Sequence, residues 1–354
     1  MYLILAAFIT AFFVVLLSTP ALIKVAELKR LYDEPGDKRK LHNINIPSVG
    51  GIIIFAATLF SYALWFPSEN FEGKVMISAD FKYIVATILI LFFIGVKDDI
   101  IGTAPVKKLF GHILVGLILV LMADVRLTSM YGIFGIREIP EWASIFLSLF
   151  TYIVIVNAFN LIDGIDGLAG GVGFIVCVAF GIWFYLAGDQ TLACLAFTLG
   201  GSLLAFLIFN FHPAKIFMGD SGALTIGLII SILTMKVIEF PFNDLPETLK
   251  GLSKPVFAIA VLIYPLFDTL RIFINRTVRG HSPFIPDNKH IHHRLLKIGF
   301  SQRKIALTLY IVNIFIILLS VFSKGLEPNY QLTIIGCATI IIAQIPFFMR
   351  KKFD

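Results

Sequence analysis

The sequence predicts an all-α, polytopic integral membrane protein. Of its 354 residues, 58% are hydrophobic and only 15% are charged, whereas soluble domains carry about 25% charged residues. The apolar residues occur in long stretches close to the length of about 20 residues that crosses a bilayer as a helix. Together these observations exclude a sizeable soluble domain, including a dinucleotide-binding or nucleic-acid-binding module.

Eleven apolar stretches predict eleven transmembrane helices. They span residues 2–26, 48–66, 81–97, 109–123, 142–161, 167–187, 190–210, 221–238, 254–275, 304–323 and 330–349. The first stretch has no cation before Lys24 and continues into a basic loop. This pattern favours an uncleaved signal anchor over a cleaved signal peptide.

The distribution of lysine and arginine predicts the orientation. Nineteen of the 29 basic residues lie in the odd-numbered connections and the C-terminal tail, and seven lie in the even-numbered connections. Because basic loops stay in the cytoplasm, the first side is expected to be cytoplasmic, with the N-terminus outside and the C-terminus inside. The net charge of +6 therefore reflects topology and does not indicate nucleic-acid binding.

Two adjacent acids end the third stretch, in GVKDDIIG. Asp98 and Asp99 repel one another and also oppose the helix dipole, so a compensating cation or proton is expected nearby. A plain solvated helix end is the competing interpretation. Lys107 and Lys108 directly precede the next stretch, and the spacing does not choose between them as the cation.

A second polar segment, NAFNLIDGIDGLAGG, covers the end of the fifth stretch and the start of the sixth. Asn157, Asn160 and Asp163 are three residues apart, which places them on roughly one face of a helix. Asp166 lies among glycines that allow a backbone to approach a phosphate or a base. A capped hairpin would explain the glycines, but not two asparagines and two aspartates at a membrane boundary.

Asp220, in FMGDSGAL, precedes the eighth stretch. As a lone residue it would be interpreted as a helix cap. Together with Asn160 and the paired acids, it offers the hard oxygen ligands that suit Mg²⁺.

Three histidines within four positions, His290, His292 and His293, precede Arg294 in the last large cytoplasmic loop. Zinc binding is one interpretation, but no thiolate or well-spaced partner supports it. A cationic, hydrogen-bonding pocket for a phosphorylated substrate is favoured. Lys40 and His42 in the first loop could serve the same pocket, although topogenic charge explains them equally well.

Five motifs in this order carry a family resemblance over essentially the whole chain: RKLHNINIPSVGG, the DD of GVKDDI, NAFNLIDGIDGLAGG, FMGDSGAL and HIHHRLLKIGFSQRK. The sequence resembles the polyprenyl-phosphate N-acetylhexosamine-1-phosphate transferases, most of all the bacterial branch that acts on undecaprenyl phosphate. That branch starts O-antigen, enterobacterial common antigen or teichoic acid linkage units. The HIHH motif is similar to that of the GlcNAc-type branch, so UDP-GlcNAc is the preferred donor.

The resemblance implies an enzyme that converts UDP-N-acetylhexosamine and polyprenyl phosphate into polyprenyl-diphospho-N-acetylhexosamine and UMP. It implies Mg²⁺, with Mn²⁺ as an alternative, in the bacterial inner membrane with the active site on the cytoplasmic face. Residues 1–354 would form one transmembrane catalytic domain, and a homodimer is left open. The active-site loops would be residues 27–47, 97–108, 160–167, 210–221 and 276–303.

Residue roles transfer from the matching motifs. Asp220 is the implied metal ligand, Asn160 a metal or diphosphate ligand, and Asp98 and Asp99 the catalytic pair. The implied substrate-binding residues are Lys107 or Lys108, Asn157, Asp163 and Asp166 near the uridine, His290, His292, His293, Arg294, Lys40 and His42. Direct displacement is favoured because a phosphomonoester is largely ionised at neutral pH, while a route through an aspartyl phosphate stays open.

Three alternative functions predict different features of the sequence. The UDP-MurNAc-pentapeptide transferase of peptidoglycan synthesis carries a different histidine pattern. A nucleotide-sugar transporter would place polar residues near the middle of the bilayer, whereas here they cluster on one face. A prenyltransferase would need further acids after Asp98 at helical spacing, and DDIIG supplies none.

Overall fold

The computed structural model describes residues 2–33, 46–66, 81–278, 280 and 290–348, and these are mainly helical, as predicted. The helices are α1 (Tyr2–Lys29), α2 (Gly50–Leu64), α3 (Phe81–Ile101), α4 (Pro105–Leu117), α5 (Glu141–Ile162), α6 (Leu168–Ala187), α7 (Gln190–Asn210), α8 (Gly219–Glu239), α9 (Lys254–Val261), α10 (Ile263–Val278), α11 (Ile291–Lys297), α12 (Gln302–Phe322) and α13 (Pro328–Phe348). A π-helical turn, Ile118–Met122, extends α4. Two short strands, β1 (Tyr32–Asp33) and β2 (Ile46–Pro47), pair antiparallel.

Each of the eleven predicted stretches contains a helix or a helix pair. Within the described residues, eight helices are long and apolar enough to cross a membrane, and the bent pair α9–α10 would make a ninth. Helix α2 has only 15 residues, and α3 carries two lysines and two aspartates among its 21 residues. A multi-pass membrane protein is therefore supported, while eleven spans and the orientation of the termini stay predictions.

The ninth stretch, predicted as one continuous span over residues 254–275, is broken. Helices α9 and α10 meet at Leu262 with a bend of 80°. Pro265 has no N–H to continue the ladder across this point. The side chain of Asn313 in α12 bonds the freed backbone groups: its Nδ2 donates to the carbonyl of Val261 at 3.1 Å, and its Oδ1 accepts from the N–H of Tyr264 at 3.4 Å.

Helix α8 occupies the centre of the bundle. It is apolar or small on every face, the pattern of a helix surrounded by protein, and nearly all its residues are buried. Helices α2, α3, α5 and α6 pack against it, while α1 packs against α7 and α2. Helices α12 and α13 lie at the periphery and expose many apolar side chains.

Two glycines bring α2 and α3 against the first turn of α8. A Cβ atom on Gly51 would lie 2.0 Å from the backbone nitrogen of Gly222, and one on Gly95 would lie 2.5 Å from the Cα of Ser221. No larger residue fits at either contact. The end of α3, which carries the paired acids, is thereby held beside the start of α8.

Candidate active site

Asp99, in the last turn of α3, caps the N-terminus of α8. Its Oδ1 accepts the backbone N–H of Asp220 at 2.6 Å, and its Oδ2 accepts that of Ser221 at 3.0 Å. Gly219 precedes them with φ +70°, and a Cβ there would lie 2.7 and 2.8 Å from the Asp99 oxygens. Asp99 thus holds the helix that presents Asp220, and both of its oxygens are engaged by backbone donors.

Lys108, in the first turn of α4, lies between Asp98 and Asp220. Its Nζ donates to Asp98 Oδ2 at 3.0 Å and also to Asp220 Oδ2. Asn160, near the end of α5, donates through Nδ2 to Asp220 Oδ1 at 2.8 Å. Side chains from four helices, α3, α4, α5 and α8, therefore meet at one point. The sequence did not choose between the two lysines; in the structure Lys108 joins the group, while Lys107 is exposed.

Asp163 adds a further acid immediately after α5. Burial raises the pKa of Asp163 well above its ordinary value, and the negative charges of Asp220, Asp99 and Asp166 raise it further. Burial is the larger cause, and the three neighbouring carboxylates add negative charge around the turn. A divalent cation would relieve it, so the acids and Asn160 fit the hard-ligand chemistry of Mg²⁺.

Asp166 is buried and ties three segments together. Its Oδ2 accepts the backbone N–H of Ala214 at 3.1 Å and lies 2.7 Å from Nδ1 of His212. Its own N–H donates to Oε1 of Gln302 at 3.0 Å. His212 has no signal in the sequence beyond its position shortly before FMGD, because a single histidine forms no pattern.

The turn at Gly167 is fixed from two sides. Its N–H donates to Oδ1 of Asn210 at 3.0 Å, and its carbonyl accepts the hydroxyl of Tyr310 at 2.5 Å. Neither Asn210 nor Tyr310 was predicted. Both bonds hold the start of α6 against α7 and α12, so the polar turn 163–167 has a defined shape.

The histidine motif borders the same turn. Nε2 of His292 lies 3.5 Å from the position of a Cβ on Gly164, and its Nδ1 lies 3.2 Å from the hydroxyl of Tyr264. Burial lowers the pKa of His292 to about 3, so this ring is neutral at pH 7. Buried Asp268 lies 2.9 Å from Nδ1 of His290, so this histidine has a partner within the protein, and the cationic, hydrogen-bonding pocket for a phosphorylated substrate stays a prediction.

His293 and Arg294 take different directions. The ring of His293 packs against that of His292, with centroids 4.4 Å apart. Nε of Arg294 donates to the carbonyl of Pro346 at 3.2 Å, and its guanidinium lies 5.7 Å from the centre of the Phe347 ring. Arg294 therefore contacts the end of α13, and its predicted role toward substrate stays a prediction.

Three other predicted residues are not brought into the acidic group by the described contacts. Asn157 Nδ2 donates to the carbonyl of Ile153, one turn earlier in its own helix, at 2.8 Å. Lys40 and His42 lie outside the described residues. The clustering predicted from the motifs therefore centres on Asp98, Lys108, Asn160 and Asp220, with Asp163 beside them.

These features define a helical membrane protein with a polar, acidic site where the ends of several helices meet. Residues 81–238 match the profile of glycosyl transferase family 4. The chain belongs to this family, which includes the polyprenyl-phosphate N-acetylhexosamine-1-phosphate transferases that its motifs resemble, and it falls in the bacterial branch.

Three relatives illustrate the similarity. The chain is 31% identical to decaprenyl-phosphate N-acetylglucosaminephosphotransferase of Mycolicibacterium smegmatis, over 88% of this chain and 81% of the relative. It is 30% identical to the probable undecaprenyl-phosphate N-acetylglucosaminyl 1-phosphate transferase of Bacillus subtilis, over 99% and 94%. It is 30% identical to undecaprenyl-phosphate alpha-N-acetylglucosaminyl 1-phosphate transferase of Escherichia coli K12, over 79% and 73%.

Proposed function

We propose that this protein transfers GlcNAc-1-phosphate from UDP-GlcNAc to undecaprenyl phosphate, releases UMP and thereby starts a cell-envelope polysaccharide. The names of the relatives support the donor, the acceptor and the reaction. The observation that carries the proposal is the convergence of Asp98, Lys108, Asn160 and Asp220 from four helices. Such a group suits a reaction between two phosphates, which depends on positioning and charge neutralisation.

In the proposed reaction, an oxygen of the lipid phosphate attacks the phosphorus that carries the sugar. The bond from that phosphorus to the bridging oxygen breaks, and UMP leaves with the electron pair. Lys108 neutralises phosphate charge, and Asp98, 3.0 Å from its ammonium, positions it. Mg²⁺, or Mn²⁺ in its place, would be held by Asp220 and Asn160 and would supply further neutralisation of the diphosphate.

The contacts of the paired acids favour different roles for the two. Both oxygens of Asp99 accept backbone N–H groups, which suits this carboxylate to holding the start of α8. Asp98 has no such engagement among the described contacts and meets Lys108 instead. If a phospho-enzyme exists, its phosphate is therefore expected on Asp98, and the direct route requires only that Asp98 orient Lys108 and the acceptor.

The proposal includes a placement in the membrane. The distribution of basic residues supports eleven spans with the N-terminus outside, the C-terminus inside and the acidic site on the cytoplasmic face of the inner membrane. UDP-GlcNAc is a cytoplasmic metabolite, and a polyprenyl phosphate in the bilayer can present its headgroup at the cytoplasmic surface.

A transfer assay with the purified protein tests the function. Radiolabelled UDP-GlcNAc, undecaprenyl phosphate and Mg²⁺ should give labelled lipid and an equal amount of UMP, with EDTA abolishing both and Mg²⁺ restoring them. UDP-MurNAc-pentapeptide replaces the donor in a parallel reaction. Label transferred only from that donor, or label accumulated unchanged inside protein-containing vesicles, would contradict the proposal in favour of the peptidoglycan enzyme or a transporter.

A further inference from the structure

A buried carboxylate that belongs to none of the five motifs connects α10 to the histidine motif. Asp268 is 0% exposed. Its Oδ1 accepts the backbone N–H of Ile291, the first residue of α11, at 2.9 Å, and its Oδ2 lies 2.9 Å from Nδ1 of His290. The guanidinium of Arg271 lies 3.7 Å from Oδ1. One side chain in α10 thus holds two successive residues at the start of α11.

This connection reaches the polar turn of the active site. The rings of His290 and His292 are parallel within 6°, with centroids 5.2 Å apart, so fixing the first ring limits the second. His292 in turn borders Gly164, which lies between Asn160 and Asp166. A displacement of the start of α11 would therefore move an imidazole that lines the turn.

The bond to Asp268 also requires a proton on one particular nitrogen of His290. A carboxylate accepts a hydrogen bond, so Nδ1 must be the donor, and Nε2 is the nitrogen left for other partners. A carboxylate that orients a histidine in this way commonly influences function without touching the ligand. In metal sites, loss of such a carboxylate lowers metal affinity or activity by about 10- to 100-fold.

A metal ion is the competing explanation for this group. Ligand atoms of Asp268, His290 and His292 all lie within 4.8 Å of one another, a set that zinc accepts. The nitrogens that face the group, however, already have partners: Nδ1 of His290 meets Asp268, and Nδ1 of His292 meets the hydroxyl of Tyr264. Hydrogen bonds account for these contacts without an ion.

We propose that Asp268 is a positioning residue, which fixes the tautomer of His290 and holds α11 so that His292 lines the 163–167 turn. The proposal rests on the proposed transfer reaction for its kinetic consequence. Its structural part, the Asp268–His290 bond, can be measured without substrate. Failure of one part is therefore distinguishable from failure of the other.

The kinetic experiment is a double-mutant cycle on the full chain in detergent. Asp268→Asn replaces one acceptor by an amide donor, and His290→Asn keeps a donor toward Asp268 but removes the imidazole. If Asp268 acts through His290, each single variant lowers kcat/KM for UDP-GlcNAc by about 10- to 100-fold. The double variant then has a kcat/KM no lower than that of the less active single variant. Independent, multiplying losses would overturn the proposal.

Asp189→Asn is the matched control. Asp189 also accepts a helical N–H, that of Leu192 at 2.9 Å, but it caps α7 at the end of the bundle opposite the site. Asparagine is an equally good cap, so this variant should retain wild-type kcat/KM. An equal loss in Asp189→Asn and Asp268→Asn would indicate a general effect of the substitution and contradict a positioning role.

Two further measurements do not depend on activity. Nitrogen NMR of histidine-labelled protein should show Nδ1–H on His290, identified by its disappearance in His290→Asn, and a loss of this tautomer in Asp268→Asn; an unchanged tautomer would overturn the proposal. Elemental analysis should show no stoichiometric zinc or manganese. If the wild type contained one equivalent of either metal and Asp268→Asn lost it, the group would be a metal site and the positioning role would be overturned.

Discussion

Two junctions between helices are built alike and used differently. At the α3–α8 junction Asp99 accepts two backbone N–H groups at the start of α8, and at the α10–α11 junction Asp268 accepts one backbone N–H and one imidazole donor at the start of α11. The first junction also contains Asp98, the chain neighbour of Asp99, which meets Lys108, whereas the chain neighbours of Asp268, Phe267 and Thr269, are not acidic. In an adjacent pair of acids, one carboxylate can therefore hold a neighbouring helix in place while the other takes part in the chemistry.

Replacement of Asp220 should have the largest effect, because it lies where the α3–α8 junction meets the site. Asp220→Asn removes the charge beside Lys108 while retaining the backbone N–H that Asp99 accepts. We expect transfer to fall by about 100- to 1,000-fold with normal expression and thermal stability, measured by labelled lipid and by a melting curve in detergent. Activity within a few-fold of wild type would remove Asp220 from the site.

The lysine pair should show a smaller but cleaner contrast. Lys108→Gln removes the ammonium shared by Asp98 and Asp220 and should lower kcat by about 100-fold. Lys107→Gln, its exposed neighbour, changes charge equally and should stay within about twofold of wild type, as surface substitutions usually do. A larger loss in the Lys107 variant would reverse the assignment.

The two asparagines of the α5 motif provide a third contrast. Asn160→Ala removes a donor to Asp220, and we expect a loss of about 10- to 100-fold in kcat/KM together with a higher Mg²⁺ requirement. Asn157→Ala removes only a bond within its own helix and serves as the control. Equal losses would mean that Asn157 reaches the substrate by a contact that forms on binding.

The smallest effect on the chemistry, and the largest on the fold, is expected for Asp99. Asp99→Asn keeps one acceptor but turns an amide toward a backbone N–H, which should lower the free energy of unfolding by about 1 to 3 kcal/mol. Asp98→Asn should leave the melting temperature nearly unchanged and reduce transfer instead. The same stability loss in both variants would erase the difference proposed between the two acids.

The sequence predicted the members of the acidic group well, because each comes from a motif that sets polar residues at a membrane boundary, where they are costly. Asp98, Asn160 and Asp220 were named on that ground, and the structure brings them together around Lys108. Which residue of an adjacent pair faces the group depends on the angular position of a helix end, because consecutive helical residues such as Lys107 and Lys108 point about 100° apart.

The sequence did not predict Asp268, Asn313 or the break at Leu262. A single acid or amide within an apolar stretch has no periodic partner, so its role depends on which helix packs beside it. Asn313 illustrates this, since it bonds backbone groups of α9 and α10, about 50 residues earlier in the chain. Such pairings follow from tertiary packing, about which local sequence patterns carry no information.

The central position of α8 has a consequence for biogenesis. Four of the helices that pack against it, α2, α3, α5 and α6, are synthesised before it, and the nearest neighbours of Gly51 and Gly95 lie in the first turn of α8. A ribosome-bound intermediate that stops before residue 219 would hold the carboxylate of Asp99 without its backbone donors. Insertion of α8 is thus the event that assembles the site, and truncations before that helix should leave an open bundle vulnerable to membrane proteases.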